Sequence, residues 1–184
     1  MTKKVQPKLE NTKVPEVVFK TADKLKEGEQ CSGEDLYDLS TKEIFENKKI
    51  VLFALPGAYT PTCSSQHLPG YEENYDKLKE LGVDEVYVLS VNDAFVMVNW
   101  ARDLNVQKVQ IIPDGNAEFT EKIGMLVDKA NLGFGKRSWR YSMYVENGEI
   151  KKVFSEKGFS DNFKDDPFEV SNAQTMLDYL KTQK

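Results

Sequence analysis

Residues 50–71 read IVLFALPGAYTPTCSSQHLPGY, and the rest of the chain is best read outward from them. Ile50–Leu55 is an unbroken apolar run of strand length, the pattern of a strand covered on both faces. The Pro/Gly-rich loop PGAYTPT follows, and a helical segment then starts near Cys63. Pro69 should interrupt or kink that helix, because proline lacks the N–H the ladder needs and its ring crowds the preceding turn. Helical periodicity resumes through Tyr71, Tyr75, Leu78 and Leu81 and stops at Gly82.

Downstream the pattern repeats. Glu85–Val91 is a second buried strand, Asp93 caps a helix carrying Phe95, Val96, Val98, Trp100 and Leu104, and Val109–Ile112 is a third strand. Ala117–Gly124 is a short helix. Tyr141–Val145 and Glu149–Phe154 flank Asn147–Gly148, a strong two-residue hairpin signal. Ser171–Leu180 closes the chain as an amphipathic helix. Upstream, Val14–Thr21 reads as a first strand, with Pro15 marking it as an edge or strand-start element. A short strand is expected at Leu36–Leu39, and Ser40 with Glu43 forms a capping box for a helix through about Asn47. Residues 1–13 read as a flexible polar arm and residues 14–184 as a single domain. This order predicts an α/β three-layer sandwich with a mixed central sheet, since the hairpin must pair antiparallel.

Composition removes several function classes. The 184 residues carry a formal charge of −5, with Lys and Arg scattered among acids, so nothing favours a nucleic-acid or anionic-membrane partner. No segment approaches the roughly 20 apolar residues that span a bilayer. The N-terminal region has basic residues without the apolar run of a secretory leader, so a cytoplasmic location is expected. The two cysteines, Cys31 and Cys63, form no C-x-x-C, which argues against a disulfide scaffold and a dithiol oxidoreductase. A single histidine makes a zinc site hard to assemble, and no cofactor is called for. Gly133-Phe134-Gly135 reads as a turn rather than a phosphate loop, and the acid pairs Glu72–Glu73 and Asp165–Asp166 read as solvated faces.

Cys63 is where chemistry concentrates. In the first turn of a helix it meets outward-pointing N–H groups and the positive end of the macrodipole, which favour thiolate over thiol. Thr60, three residues earlier, can hydrogen-bond the sulfur or an incoming oxygen, and Pro56 can shield the sulfur from water. A small buried hydrophobe fits the same junction, so the local context alone leaves both readings open.

Pro56, Thr60 and Cys63 reproduce the P-x-x-x-T-x-x-C signature of the peroxiredoxins. The string PGAYTPTCSSQHLPGY resembles the atypical, type-five branch, as do VNDAFVMVNWARDL, IIPDGNAEFTEKIGM, LGFGKRSWRYSMYVENGEI and DPFEVSNAQTML. The resemblance spans Val14 to Leu180 and implies a thioredoxin-like fold and a thiol peroxidase. It places the active-site arginine at Arg140, with Arg137 as the competing candidate outside the predicted strand. His67, four residues after Cys63, matches a histidine of that branch and is either a supporting group or a structural one.

The implied mechanism has the Cys63 thiolate attack hydrogen peroxide or an organic hydroperoxide, with Thr60, the Cys63 amide and Arg140 stabilising the developing charge. A sulfenic acid results. The animal members' C-terminal resolving cysteine is missing here, as in bacterial and plant members, some of which are fused to a glutaredoxin domain. An external thiol is therefore the expected reductant, glutathione with glutaredoxin first and thioredoxin second. Cys31, in a polar Gly-rich segment expected to be exposed and mobile, is the alternative resolver, against an incidental surface thiol. The family also implies a homodimer paired through the loops near Tyr59 and Pro61. A peroxide sensor or holdase of the same architecture, with little turnover, is the alternative function.

Overall fold

A computed structural model describes residues 3–183. Strands β1 (Val18–Thr21) and β2 (Tyr37–Ser40) form an antiparallel pair leading into α1 (Thr41–Phe45). Then come β3 (Lys49–Ala54), a π-helical turn (Cys63–His67) continuing into α2 (Leu68–Glu80), β4 (Glu85–Ser90), α3 (Ala94–Asp103), β5 (Gln110–Pro113) and α4 (Glu118–Lys122). A small antiparallel pair, β6 (Leu126–Asp128) and β7 (Lys136–Ser138), precedes the hairpin β8 (Tyr141–Glu146) and β9 (Glu149–Ser155), and α5 (Ala173–Lys181) ends the described chain.

The central sheet runs β5-β4-β3-β8-β9. β3 pairs parallel with β4, and β4 with β5, while β8 is antiparallel to both β3 and β9. This is the expected mixed sheet of a thioredoxin-like α/β fold. Asn147 and Gly148 take positive φ of 47° and 75°, the backbone a two-residue hairpin needs to match strand twist.

β3 shows why the fold has three layers. Its side chains alternate, so Val51 and Phe53 enter one core with Tyr71, Leu78, Met97, Trp100 and Met176 from the helices. Ile50, Leu52 and Ala54 enter the opposite core with Ile44, Phe45, Phe119 and Trp139. These five side chains of β3 and their neighbours are removed from water on both faces, the largest favourable contribution to folding.

Three local differences from expectation have physical causes. Residues 3–13, read as a flexible arm, are laid along the sheet instead. Asn11 N–H donates to the Ile150 carbonyl at 2.8 Å, Lys3 bridges Ser160, and Leu9 packs on the core. Their backbone groups find partners on β9 and in the segment just after it, at Phe159 and Ser160, that no local pattern announces. The strand around Val14–Thr21 is confined to Val18–Thr21. β6 and β7, only three residues each, are too short to leave a periodic signal.

Candidate active site

The loop between β3 and α2 leaves the carboxyl end of the parallel strands, where open α/β sheets place their ligand crevices. Ala58 N–H donates to Asn92 Oδ1 at 3.0 Å, and the Ser90 hydroxyl holds the same oxygen at 2.6 Å. Pro56 and Gly57 are buried, and Tyr59 takes a left-handed φ of 63° with its hydroxyl donating to Asp103 at 2.7 Å. Helix begins at Pro61, a favoured first position for proline, which puts Cys63 in the first turn.

Cys63 is fully buried, and its carbonyl accepts from Leu68 N–H five residues on. This π-helical turn is the form the expected Pro69 interruption takes. Pro69 has no N–H for the carbonyl four residues back, and a widened turn ahead of it accommodates the ring. The Thr60 hydroxyl donates to the Gly57 carbonyl at 2.7 Å. Its proton is therefore committed to the loop, and its lone pairs remain as acceptors.

His67 is also fully buried, between the rings of Phe53 and Phe168, each with centroids 4.8 Å away. Its Nε2 lies 3.1 Å from the Ser171 carbonyl, and its Nδ1 lies 3.1 Å from Arg140 Nη1. A carbonyl only accepts and a guanidinium only donates, so Nε2 carries the proton and Nδ1 is an acceptor. The ring is neutral. Burial holds the imidazole well below its ordinary value, Arg140 pushes it further down, and the Ser171 bond opposes both.

Arg140, immediately before β8, is 1% exposed. Besides His67 it binds Asp166, Nη2 to Oδ1 at 2.6 Å, and its ring neighbour is Phe168 at 5.7 Å. Its buried Nε has no hydrogen-bond partner among the described residues. Thus Arg140 reaches the Cys63 helix through His67.

Arg137, the competing arginine, lies outside β8 and on a short strand of its own, β7. It donates to the carbonyls of Phe134 (Nε, 3.0 Å) and Val91 (Nη1, 3.2 Å). A methyl group added at Gly57 would lie 3.2 Å from both Arg137 Nη1 and Thr60 Cγ2. Gly57 is therefore what lets this guanidinium come against the active-site loop. Burial lowers the Arg137 pKa, and the neighbouring Cys63 acts in the opposite direction. The structure thus brings Pro56, Thr60, Cys63, His67 and both arginines to one end of the sheet.

Cys31 is a free, half-buried thiol rather than an exposed one, and no disulfide joins it to Cys63. Burial and then Asp35 raise its pKa, which leaves it a weak nucleophile.

Several contributing groups were not legible in the sequence. The Glu156 carboxylate, 1% exposed, accepts from the N–H groups of Glu169, Val170 and Ser171 at 2.9 Å each and from the Ser171 hydroxyl at 2.8 Å. It thereby fixes the segment that supplies Asp166, Phe168 and the Ser171 carbonyl. Asp166 itself was read as part of a solvated acid pair. Only the glutamate's place at the end of a strand hinted at anything, and acidic residues there are ordinarily solvated.

A redoxin family profile matches residues 9–177. The chain is 56% identical to a peroxiredoxin of Synechocystis, over 92% of this chain and 89% of that protein. It is 51% identical to the hybrid peroxiredoxin hyPrx5 of Haemophilus influenzae, over 95% of this chain and 67% of the relative. Among solved structures, the Plasmodium falciparum antioxidant protein, a 1-Cys peroxiredoxin, superposes with a TM-score of 0.85 at 38% identity, covering 94% of this chain and 98% of that one. The chain belongs to the peroxiredoxin family, in its type-five branch, and is a thiol-dependent peroxidase.

Proposed function

We propose that the peroxidase works through Cys63 alone, on hydrogen peroxide and organic hydroperoxides, with an external thiol closing the cycle. The observation that carries this reading is the buried Cys63 in a helix's first turn, with the Arg137 guanidinium packed against Gly57 in the loop that leads into it. The thiolate attacks the distal peroxide oxygen. The S–O bond forms as the O–O bond breaks, and the departing oxygen takes a proton to leave as water or alcohol. Thr60, whose own proton is engaged by Gly57, accepts from the peroxide O–H and aligns it. Arg140 and Arg137 supply positive charge as the O–O bond breaks, and a free Arg140 Nε–H is available as a donor. Pro56 covers the sulfur.

The sulfenic acid then condenses with an external thiol to a mixed disulfide, releasing water, and a second thiol restores Cys63. Glutathione with glutaredoxin is the first candidate donor and thioredoxin the second. The raised, half-buried Cys31 thiol supports an external resolver over an internal one. Two copies pair through the loops that carry Tyr59 and Pro61, both exposed. Two free thiols suit a reducing, cytoplasmic setting.

The test is hydroperoxide consumption by wild type, Cys63→Ser and Cys31→Ser with each donor. Loss in Cys63→Ser alone supports the reading. Loss in Cys31→Ser makes Cys31 the resolver, and stoichiometric oxidation without turnover favours the sensor or holdase.

A further inference from the structure

Two hydrogen bonds to α3 grip the active-site loop on either side of Cys63. After the cysteine, Ser64 Oγ accepts from the Trp100 indole Nε1–H at 3.0 Å. Before it, the Tyr59 hydroxyl donates to Asp103 Oδ2 at 2.7 Å. Trp100 and Asp103 are three residues apart in α3, so they lie one turn apart on one face of the helix. Between the two clasps, Ser64 N–H donates to the Thr60 carbonyl at 3.1 Å and closes the first turn around Cys63. Whatever fixes Ser64 therefore fixes Thr60 as well.

Each clasp has a physical reason to be tight. Trp100 is fully buried, and an indole N–H can only donate, so Ser64 Oγ is the acceptor that keeps it from being stranded. Tyr59 sits at a φ of 63°, which so large a side chain keeps only when its surroundings hold it there. Asp103 is oriented to do so. Arg102 Nε and Nη2 donate to Asp103 Oδ1 at 3.1 and 2.9 Å, which leaves Oδ2 for Tyr59. Arg102 is itself tied by Nη1 to the Glu29 carbonyl at 2.9 Å. Neither clasp uses the sulfur or the Thr60 hydroxyl, whose proton goes to Gly57.

We infer that Trp100 and Asp103 are positioning residues for peroxide reduction, holding the loop from both sides so that Thr60 stays aligned with the Cys63 sulfur. This rests on Cys63 being the peroxide nucleophile, so the test compares two reactions of the same sulfur. In a Cys31→Ser background, sulfenic acid formation with hydrogen peroxide and alkylation by iodoacetamide are timed well below the unfolding midpoint. Peroxide needs Thr60 to align its O–H, whereas iodoacetamide needs only a thiolate it can reach, with iodide leaving. Ser64→Ala takes the acceptor from Trp100, and Asp103→Ala releases Tyr59 while the loop keeps its own side chains. Each should lower the ratio of the peroxide to the alkylation rate constant by about tenfold. Ser64→Thr keeps the hydroxyl and should hold the ratio within about threefold of wild type.

A merely structural role predicts a lowered thermal midpoint with the ratio unchanged. That result in either alanine variant overturns the inference, as does a Ser64→Thr chain as impaired as Ser64→Ala. Asp103 is exposed, so Asp103→Ala decides the matter should Ser64→Ala fail to fold. A wild type that is alkylated but forms no sulfenic acid would instead fail the reading of Cys63 as the peroxide nucleophile.

Discussion

His67 Nδ1 and Arg140 Nη1 share a 3.1 Å hydrogen bond whose direction is set from the far side of the ring, by the Ser171 carbonyl at Nε2. The carbonyl fixes the proton on Nε2, so the imidazole presents a lone pair to the guanidinium. The histidine is then a neutral bracket for Arg140, and protonating it would set two cations against each other.

This arrangement predicts an acid-sensitive fold. The folded imidazole lies well below its ordinary 6.5, so the unfolded chain binds the proton first as pH falls. The stability is fully present above about pH 6.5 and is lost below it by up to about 1.4 kcal/mol per pH unit. As the chain's only histidine, His67 should dominate between about pH 5 and 6.5. Urea unfolding of wild type and His67→Gln across that range checks this. The variant should be less stable at pH 7.5 and should lose less on acidification.

Asp166→Asn should weaken the hold on Arg140. The carboxylate is 42% exposed, so water replaces part of what is lost, and the cost should be about 1–2 kcal/mol rather than that of a fully buried pair. The kcat/KM for hydroperoxide should fall with it, since a loosened guanidinium no longer waits in place for the developing charge. Thermal denaturation and steady-state kinetics on the same preparation measure both effects.

Gly57→Ala tests the packing of the loop against Arg137. The new methyl would meet Arg137 Nη1 and Thr60 Cγ2 at 3.2 Å, so one of them must shift. Displacement of a positioning group by even part of an ångström should lower kcat/KM by about ten- to a hundredfold. The unfolding midpoint should move little by comparison, because the guanidinium end can swing. A large stability loss with unchanged kcat/KM would contradict this account of the loop.

Glu156→Ala leaves three amides and a hydroxyl without their acceptor, the two Ser171 groups among them buried. A loss of about 3 kcal/mol is expected, with activity falling further because Asp166 and the Ser171 carbonyl ride on the released segment. Hydrogen exchange of the Glu169, Val170 and Ser171 amides should rise sharply in the variant. Protection equal to wild type would show that the carboxylate does not pin the segment.

By itself the sequence determined the architecture and the place of Cys63 in it. The strand cores β3 and β4, the hairpin at Asn147–Gly148, the Ser40 and Asp93 caps and the helix start before Cys63 all depend on residues close together in the chain. Backbone preference and apolar periodicity are local, so they survive reading without coordinates. Only the tertiary structure decided which charges meet. Arg140 finds Asp166 26 residues away and His67 73 residues away, while Glu156 gathers amides 13 to 15 residues on. Lys129 is buried by the fold, although nothing local in the sequence marks it out among the 25 basic residues. Coulomb forces and hydrogen bonds act through space, and in a low-dielectric interior their partners are chosen by how the layers stack, which spacing along the chain does not encode.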